Sequence, residues 1–61
     1  MRKYIVFYDD GHDFGDTTFW SSHRAGSKAN ERDALAELRS KYGYNRAKRL
    51  TIVSIQRHYE E

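Results

Sequence analysis

The densest group of side chains able to bind a cation lies in segment 9–16, Asp-Asp-Gly-His-Asp-Phe-Gly-Asp, which holds four aspartates and one histidine. Carboxylate oxygens are the ligands that hard cations such as Ca²⁺ prefer. The spacing departs from that of a calcium-binding loop, in which alternate acidic residues are followed by a glycine and a distal glutamate. Aspartate and glycine are also typical of turns. We therefore predict a solvated hairpin loop here and no metal site.

Histidines are the remaining candidates for metal binding or catalysis. His12, His23 and His58 are far apart in the sequence, and the chain contains no cysteine, so the usual ligand spacing of a zinc site is missing. Ser22 directly precedes His23, but successive residues of a strand point to opposite faces, which separates a nucleophile from its base. We predict that the protein is not an enzyme and binds no cofactor.

A run of basic residues is the strongest candidate for a binding function. Segment 39–49 contains five basic side chains and no acidic one, and the whole chain has a net charge of +2. Such a run can attract an acidic protein surface or a nucleic acid. The alternative is a solvated helix end, where the macrodipole favours cations, followed by a polar loop. The five residues are Arg39, Lys41, Arg46, Lys48 and Arg49.

Three strand-like runs and one helix must position these side chains. Residues 2–9, 17–23 and 50–59 are rich in β-branched and aromatic side chains, which favours strands, and residues 30–42 have the apolar spacing of a helix. The length is that of one domain, spanning 1–61. The sequence shows neither an apolar stretch of about 18 residues nor a signal peptide, so we expect no membrane association and a cytoplasmic protein.

The helix has the clearest signals in the sequence. Asn30 is a suitable N-cap, and Asp33 could return a bond of the capping-box type. Gly43 is the residue best able to adopt the left-handed conformation that ends a helix. Apolar side chains form one stripe at spacings of three and four, Ala34, Leu35, Leu38 and Tyr42. A helix with one such stripe covers one face of a small sheet.

These elements predict an α+β fold, a three-stranded sheet of order 2-1-3 with one helix packed on one face. The first two strands form a hairpin, and a right-handed crossover through the helix brings the third strand beside the first, antiparallel to it. In the central strand, Tyr4, Val6 and Tyr8 share one face while Ile5 and Phe7 share the other.

A single helix leaves one face of this sheet uncovered. On the third run, alternation places Leu50 and Ile52 opposite to Val53, Ile55 and Tyr59, so both faces carry apolar groups. We expect an aromatic patch on the uncovered face, of the kind that marks partner or self-association surfaces. Tyrosine and tryptophan suit such a surface because they combine apolar area with a polar group. The candidate residues are Tyr4, Tyr8 and Trp20.

The strand–strand–helix–strand order, with the helix in segment 30–43 and the last strand in segment 50–55, resembles small early proteins of bacteriophages and prophages. That group includes a coliphage inhibitor of host RNA polymerase. The resemblance covers nearly the whole chain and is one of architecture, with no functional motif carried across residue by residue. It implies a regulator or inhibitor that binds a host protein in the host cytoplasm.

The leading prediction is therefore a non-enzymatic binding protein whose partner is a host protein with an acidic surface, such as RNA polymerase. Its contacts would come from the uncovered sheet face and from segment 46–49. The alternative is a nucleic-acid-binding protein, in which Tyr and Trp stack on bases while the basic loop neutralises phosphates. A homodimer joined through the exposed sheet face is a third possibility.

Overall fold

The computed structural model of the chain describes residues 1–59; residues 60 and 61 of the predicted domain lie outside the described residues. Its elements are β1 (Arg2–Asp9), β2 (Phe14–Ser21), α1 (Lys28–Tyr42), α2 (Tyr44–Ala47) and β3 (Thr51–Arg57). The predicted α+β class and the ββαβ order are confirmed, and α2 is an addition. Neither helix in this part of the chain has the length and apolarity needed to cross a lipid bilayer.

β1 is the central strand of the sheet, whose order is β2-β1-β3 with both neighbours antiparallel to it. This is the predicted topology. The alternation of β1 is also confirmed, because Tyr4, Val6 and Tyr8 are buried while Ile5 and Phe7 are half-buried on the other face. The buried face meets Ala34 and Leu38 of α1, Ala47 of α2 and Phe19 of β2 in one hydrophobic core.

The hairpin loop between β1 and β2 is shorter than predicted, because β2 begins at Phe14 and not at residue 17. Gly15 and Asp16 resemble turn residues in the sequence, yet both pair with β1. Gly15 lies opposite Tyr8, and a Cβ at that position would come within 2.7 Å of the tyrosine ring. The glycine is therefore needed in the strand to make room for a buried aromatic side chain.

Asp10 holds the loop together. Its carboxylate accepts hydrogen bonds from the backbone N–H groups of Asp13 and His12, both at 2.8 Å, and its own N–H donates to the Asp13 carbonyl at 3.1 Å. Those two backbone donors hold the pKa of Asp10 below its usual value. Asp10, a turn former in the sequence, thus uses its carboxylate to stabilise the exposed loop.

The N-cap of α1 lies three residues earlier than predicted, and Asn30 is not that cap. Ser27 is the cap, and its Oγ accepts from the Asn30 N–H at 3.2 Å. Asn30 is fully buried, where its side chain accepts from the Gly26 N–H at 3.2 Å and donates to the His23 carbonyl at 3.3 Å. Serine and asparagine both favour N-caps. Ser27 takes the N-cap position because the Asn30 side chain is bonded to the connector that follows β2.

Asp33 does not form the predicted capping box. Its carboxylate instead accepts a hydrogen bond of 2.6 Å from the hydroxyl of Ser21, which is buried at the end of β2. The Ser21 oxygen also accepts from the His23 N–H at 3.1 Å. This contact ties α1 to the edge strand of the sheet and leaves capping to the serine before the helix.

A β-bulge in β3 changes the predicted faces of that strand. Phe7 pairs with Ser54 while the next residue of β1 pairs with Ile52, so Val53 is an extra residue. Two residues instead of one then separate Ile52 from Ile55, and both isoleucines pack against the core. The prediction that Ile55 shares a face with Val53 is wrong, because strict alternation does not continue through a bulge.

Candidate partner-binding surface

The C-terminal end of α1 and the short helix α2 bring four of the five predicted basic residues together. Gly43 ends α1 as predicted, with a positive φ of 89° and a hydrogen bond of 2.8 Å from its N–H to the Arg39 carbonyl. The chain then turns directly into α2, whose Ala47 is buried in the core. We call the resulting group the basic–aromatic surface, comprising Arg39, Lys41, Arg46, Lys48, Tyr42 and Tyr44.

Tyr44 is the exposed aromatic centre of this surface, with 60% of its area accessible. The Arg39 guanidinium lies 5.2 Å from its ring centroid and the Lys48 ammonium 5.8 Å. Both distances are in the cation–π range. The ring therefore gathers one cation from α1 and one from the C-cap of α2 at one exposed position, although they are nine residues apart in the sequence.

Tyr42 forms a second cation–π group with Arg46 at 5.0 Å and Lys41 at 5.4 Å. This ring is half-buried and is fixed from below by Tyr8, which contacts it edge to face at 5.9 Å between centroids. The hydroxyls of Tyr8 and Tyr42 are hydrogen-bonded to each other. Burial, reinforced by this hydrogen bond, raises the pKa of Tyr8 to about 12. Tyr42 thus connects the exposed cations to the core.

A pocket of about 280 Å³ opens beside Tyr44. Its apolar lining comes from Leu35, Ala47 and Leu50, and its cationic lining from Arg39 and Lys48. An apolar wall with positive charge at its rim suits a ligand that carries an apolar group next to a carboxylate or phosphate. The volume is at the small end for binding pockets and fits a side chain better than a large cofactor.

The structure separates the predicted aromatic candidates from this surface and from one another. Tyr4 and Tyr8 are only 2% and 4% exposed, so the expectation that they lie on an accessible patch is wrong. Their side chains lie on the sheet face that α1 covers, whereas those of Ile5 and Phe7 lie on the uncovered face. Trp20 is 56% exposed on the edge strand, with the Lys3 ammonium 5.8 Å from its ring.

Arg49 is the fifth predicted basic residue, and it is exposed two residues after the end of α2. Sequence reasoning missed the roles of Tyr44 and Leu35 here. The available signal was the interleaving of two tyrosines with the cations of segment 39–49, a pattern that favours cation–π contacts. Tyr42 was assigned to the core stripe only, whereas it belongs to both the core and the surface.

A second pocket, of about 330 Å³, lies between β2 and α1 and has the opposite charge. It is lined by Phe19, Trp20 and Ala36 together with the acidic Asp33 and Glu37. Across residues 1–59, no group of three or more His, Cys, Asp or Glu side chains is arranged to hold a metal ion. The acidic lining therefore gives this pocket a negative charge, opposite to that of the basic–aromatic surface.

Comparison of the chain with protein-family models, with curated proteins and with solved structures finds no match. The architectural resemblance to phage early proteins thus stays a prediction from the sequence. Any functional proposal must rest on the geometry and charge of the described residues.

Proposed function

We propose that this chain is a small non-enzymatic binding protein that attaches its basic–aromatic surface to an acidic surface of a partner protein. The observation that supports this most is the gathering of four cations around two tyrosines from α1 and α2. Arginine and tyrosine are the residue types enriched where binding energy concentrates in protein interfaces. A regulator or inhibitor of the phage type is the role that the architectural resemblance suggests, with host RNA polymerase as a first target for testing.

A protein with apolar side chains fits better than a partner held by charge alone, because the 280 Å³ pocket has an apolar wall. Leu35 and Leu50 can contact an aliphatic or aromatic side chain of the partner. Arg39 and Lys48 lie beside them and can bind carboxylates next to that side chain. The complementary feature on the partner is an apolar residue flanked by Asp or Glu. Binding is favoured over catalysis because the wall supplies neither a carboxylate nor an imidazole to act as a general base.

The test is a charge reversal on the basic–aromatic surface. Arg39→Glu, Arg46→Glu and Lys48→Glu together should abolish partner binding, because like charges facing each other across an interface cost several kcal/mol. The fold should survive, since exposed charge pairs contribute only about 0–1 kcal/mol. Wild type and variant are compared as baits in a nuclease-treated bacterial lysate, with retained proteins identified by mass spectrometry.

The matched control reverses three exposed cations at the other end of α1, Arg24, Lys28 and Arg32. It changes the net charge by the same amount and leaves the basic–aromatic surface intact. One host protein retained in stoichiometric amount by wild type and control, but lost from the triple variant, supports the proposal. Retention of that protein by all three baits alike refutes it.

The second candidate function is binding of single-stranded nucleic acid, favoured specifically by the exposed ring of Tyr44 with two cations in cation–π contact. Bases stack on such rings while Arg and Lys neutralise phosphates. Fluorescence anisotropy with a labelled oligonucleotide should then show affinity that falls steeply with salt, as counterions are released. Salt-insensitive binding, or none at low salt, excludes this candidate.

A further inference from the structure

The sheet face that α1 leaves uncovered carries five apolar side chains, with the polar Thr18, Ser54 and Gln56 beside the two central ones. Ile5 and Phe7 lie in its centre on β1, half-buried between their neighbours. Phe14 and Trp20 stand at the two ends of β2 and are 75% and 56% exposed. The bulge adds Val53, 56% exposed, on the other side of β1. Exposed apolar patches of this kind mark interaction sites.

Charged residues flank this apolar set with opposite signs at its two ends. Lys3 lies at one end, paired across the strands with Trp20. Asp9 lies at the other end, paired with Phe14, and Asp16 lies on the same face one pair further in, beside Phe7. Along β1 this face therefore runs from the positive Lys3 through the apolar Ile5 and Phe7 to the negative Asp9.

We propose that this face binds a second copy of the chain, packed face to face about a two-fold axis that lies across the strands. Such an axis reverses the strand direction, so the Lys3 end of one protomer meets the Asp9 and Asp16 end of its partner. An axis along the strands would set like charges against each other, which is unfavourable. A two-fold interface must be complementary to itself, and the charge order of this face satisfies that condition.

The size of the face limits how much surface this dimer can bury. Three strands about 4.8 Å apart and eight residues rising about 3.3 Å each give a flat area of roughly 14 by 26 Å. Stable interfaces bury about 800 Å² of accessible surface on each partner, and the relief of the side chains brings this face only towards the lower end of that class. We therefore expect a weak dimer that forms only as the protein is concentrated. The interface is independent of the proposed function, because the basic–aromatic surface lies on the opposite side of the sheet.

Sedimentation velocity over a concentration series is the first test. The sedimentation coefficient should rise from that of a monomer to that of a dimer as the protein is concentrated. Trp20 is the only tryptophan, so its emission should shift to shorter wavelength over the same range as the ring loses water. A monomer at millimolar concentration with unchanged emission overturns the proposal.

A charge swap tests the packing direction. Lys3→Glu and Asp16→Lys should each raise the dissociation constant about tenfold or more, whereas the double variant should return it to near the wild-type value. The matched controls are Arg2→Glu, whose side chain alternates to the other face, and Asp13→Lys in the hairpin loop; neither should matter. Single variants that dimerise as well as wild type, or a double variant weaker than both, refute the antiparallel arrangement. Circular dichroism confirms that each variant is folded.

Discussion

Leu38 is the side chain whose removal should cost most, since it is the largest apolar residue with no exposed area. It lies on the apolar stripe of α1 and joins the core formed with β1 and β2. We predict that Leu38→Ala destabilises the protein severely. The control is Leu35→Ala, an identical chemical change one turn away on the same helix, at a half-buried position that lines the 280 Å³ pocket.

The magnitude follows from the burial. Replacing leucine by alanine removes three carbon atoms, worth about 0.8 kcal/mol each in transfer from water, and the cavity left behind adds to this, for a total of about 3–5 kcal/mol. At about 0.05–0.15 kcal/mol per residue, a chain of this length has roughly 3–9 kcal/mol of stability. Leu38→Ala should therefore remove at least a third of it. The melting temperature falls by about 8 °C for each kcal/mol in a domain this small.

Urea and thermal denaturation, both followed by far-ultraviolet circular dichroism, measure both variants. Leu38→Ala should be largely unfolded, or melt more than about 20 °C below wild type. Leu35→Ala should cost less, because part of its side-chain area already contacts water. Equal losses for the two variants would refute the assignment of the core to the Leu38 side of the helix.

Two further predictions concern buried polar groups. The folded pKa of Tyr8 is about 12 against an ordinary value of 10.0, so the folded state holds that proton more tightly and its stabilising effect is lost as pH rises from about 10 to 12. The advantage of wild type over Tyr8→Phe in urea denaturation should shrink across that range, and a constant difference would contradict the raised pKa. Asn30→Ala should cost about 1–3 kcal/mol, since the Gly26 N–H and the His23 carbonyl lose their partner. A thermal melt matching wild type would show that the connector closes without this side chain.

The parts of the fold that could be predicted are those in which the spacing of apolar residues along the sequence matches their burial in the structure. The alternation of Tyr4, Val6 and Tyr8 against Ile5 and Phe7 correctly identified β1 and its two faces. The spacing of the helix stripe and the glycine at its end were equally direct signals. With these elements, short connections and crossover handedness left few ways to order the strands.

The details that failed depend on contacts distant in the sequence. The cap moved from Asn30 to Ser27 because Asn30 closes the connector to His23. The faces of β3 changed at Val53 because a bulge in strand pairing breaks strict alternation. α2 was not predicted because a four-residue helix has no periodic pattern of its own.

The candidate site was predicted in part because charge is visible in the sequence while the choice of sheet face is not. Tyr8 and Phe7 are adjacent aromatic residues, and either face of β1 could have met α1. Gly15 shows what decides it: the missing Cβ opposite Tyr8 gives that ring the space to lie over the sheet and contact Tyr42. The same choice leaves Phe7 with Trp20 on the open face. The basic–aromatic surface and the apolar sheet face therefore occupy opposite sides of the sheet. Charge reversal on the first should leave self-association intact, and the Lys3 and Asp16 swap should leave partner binding intact.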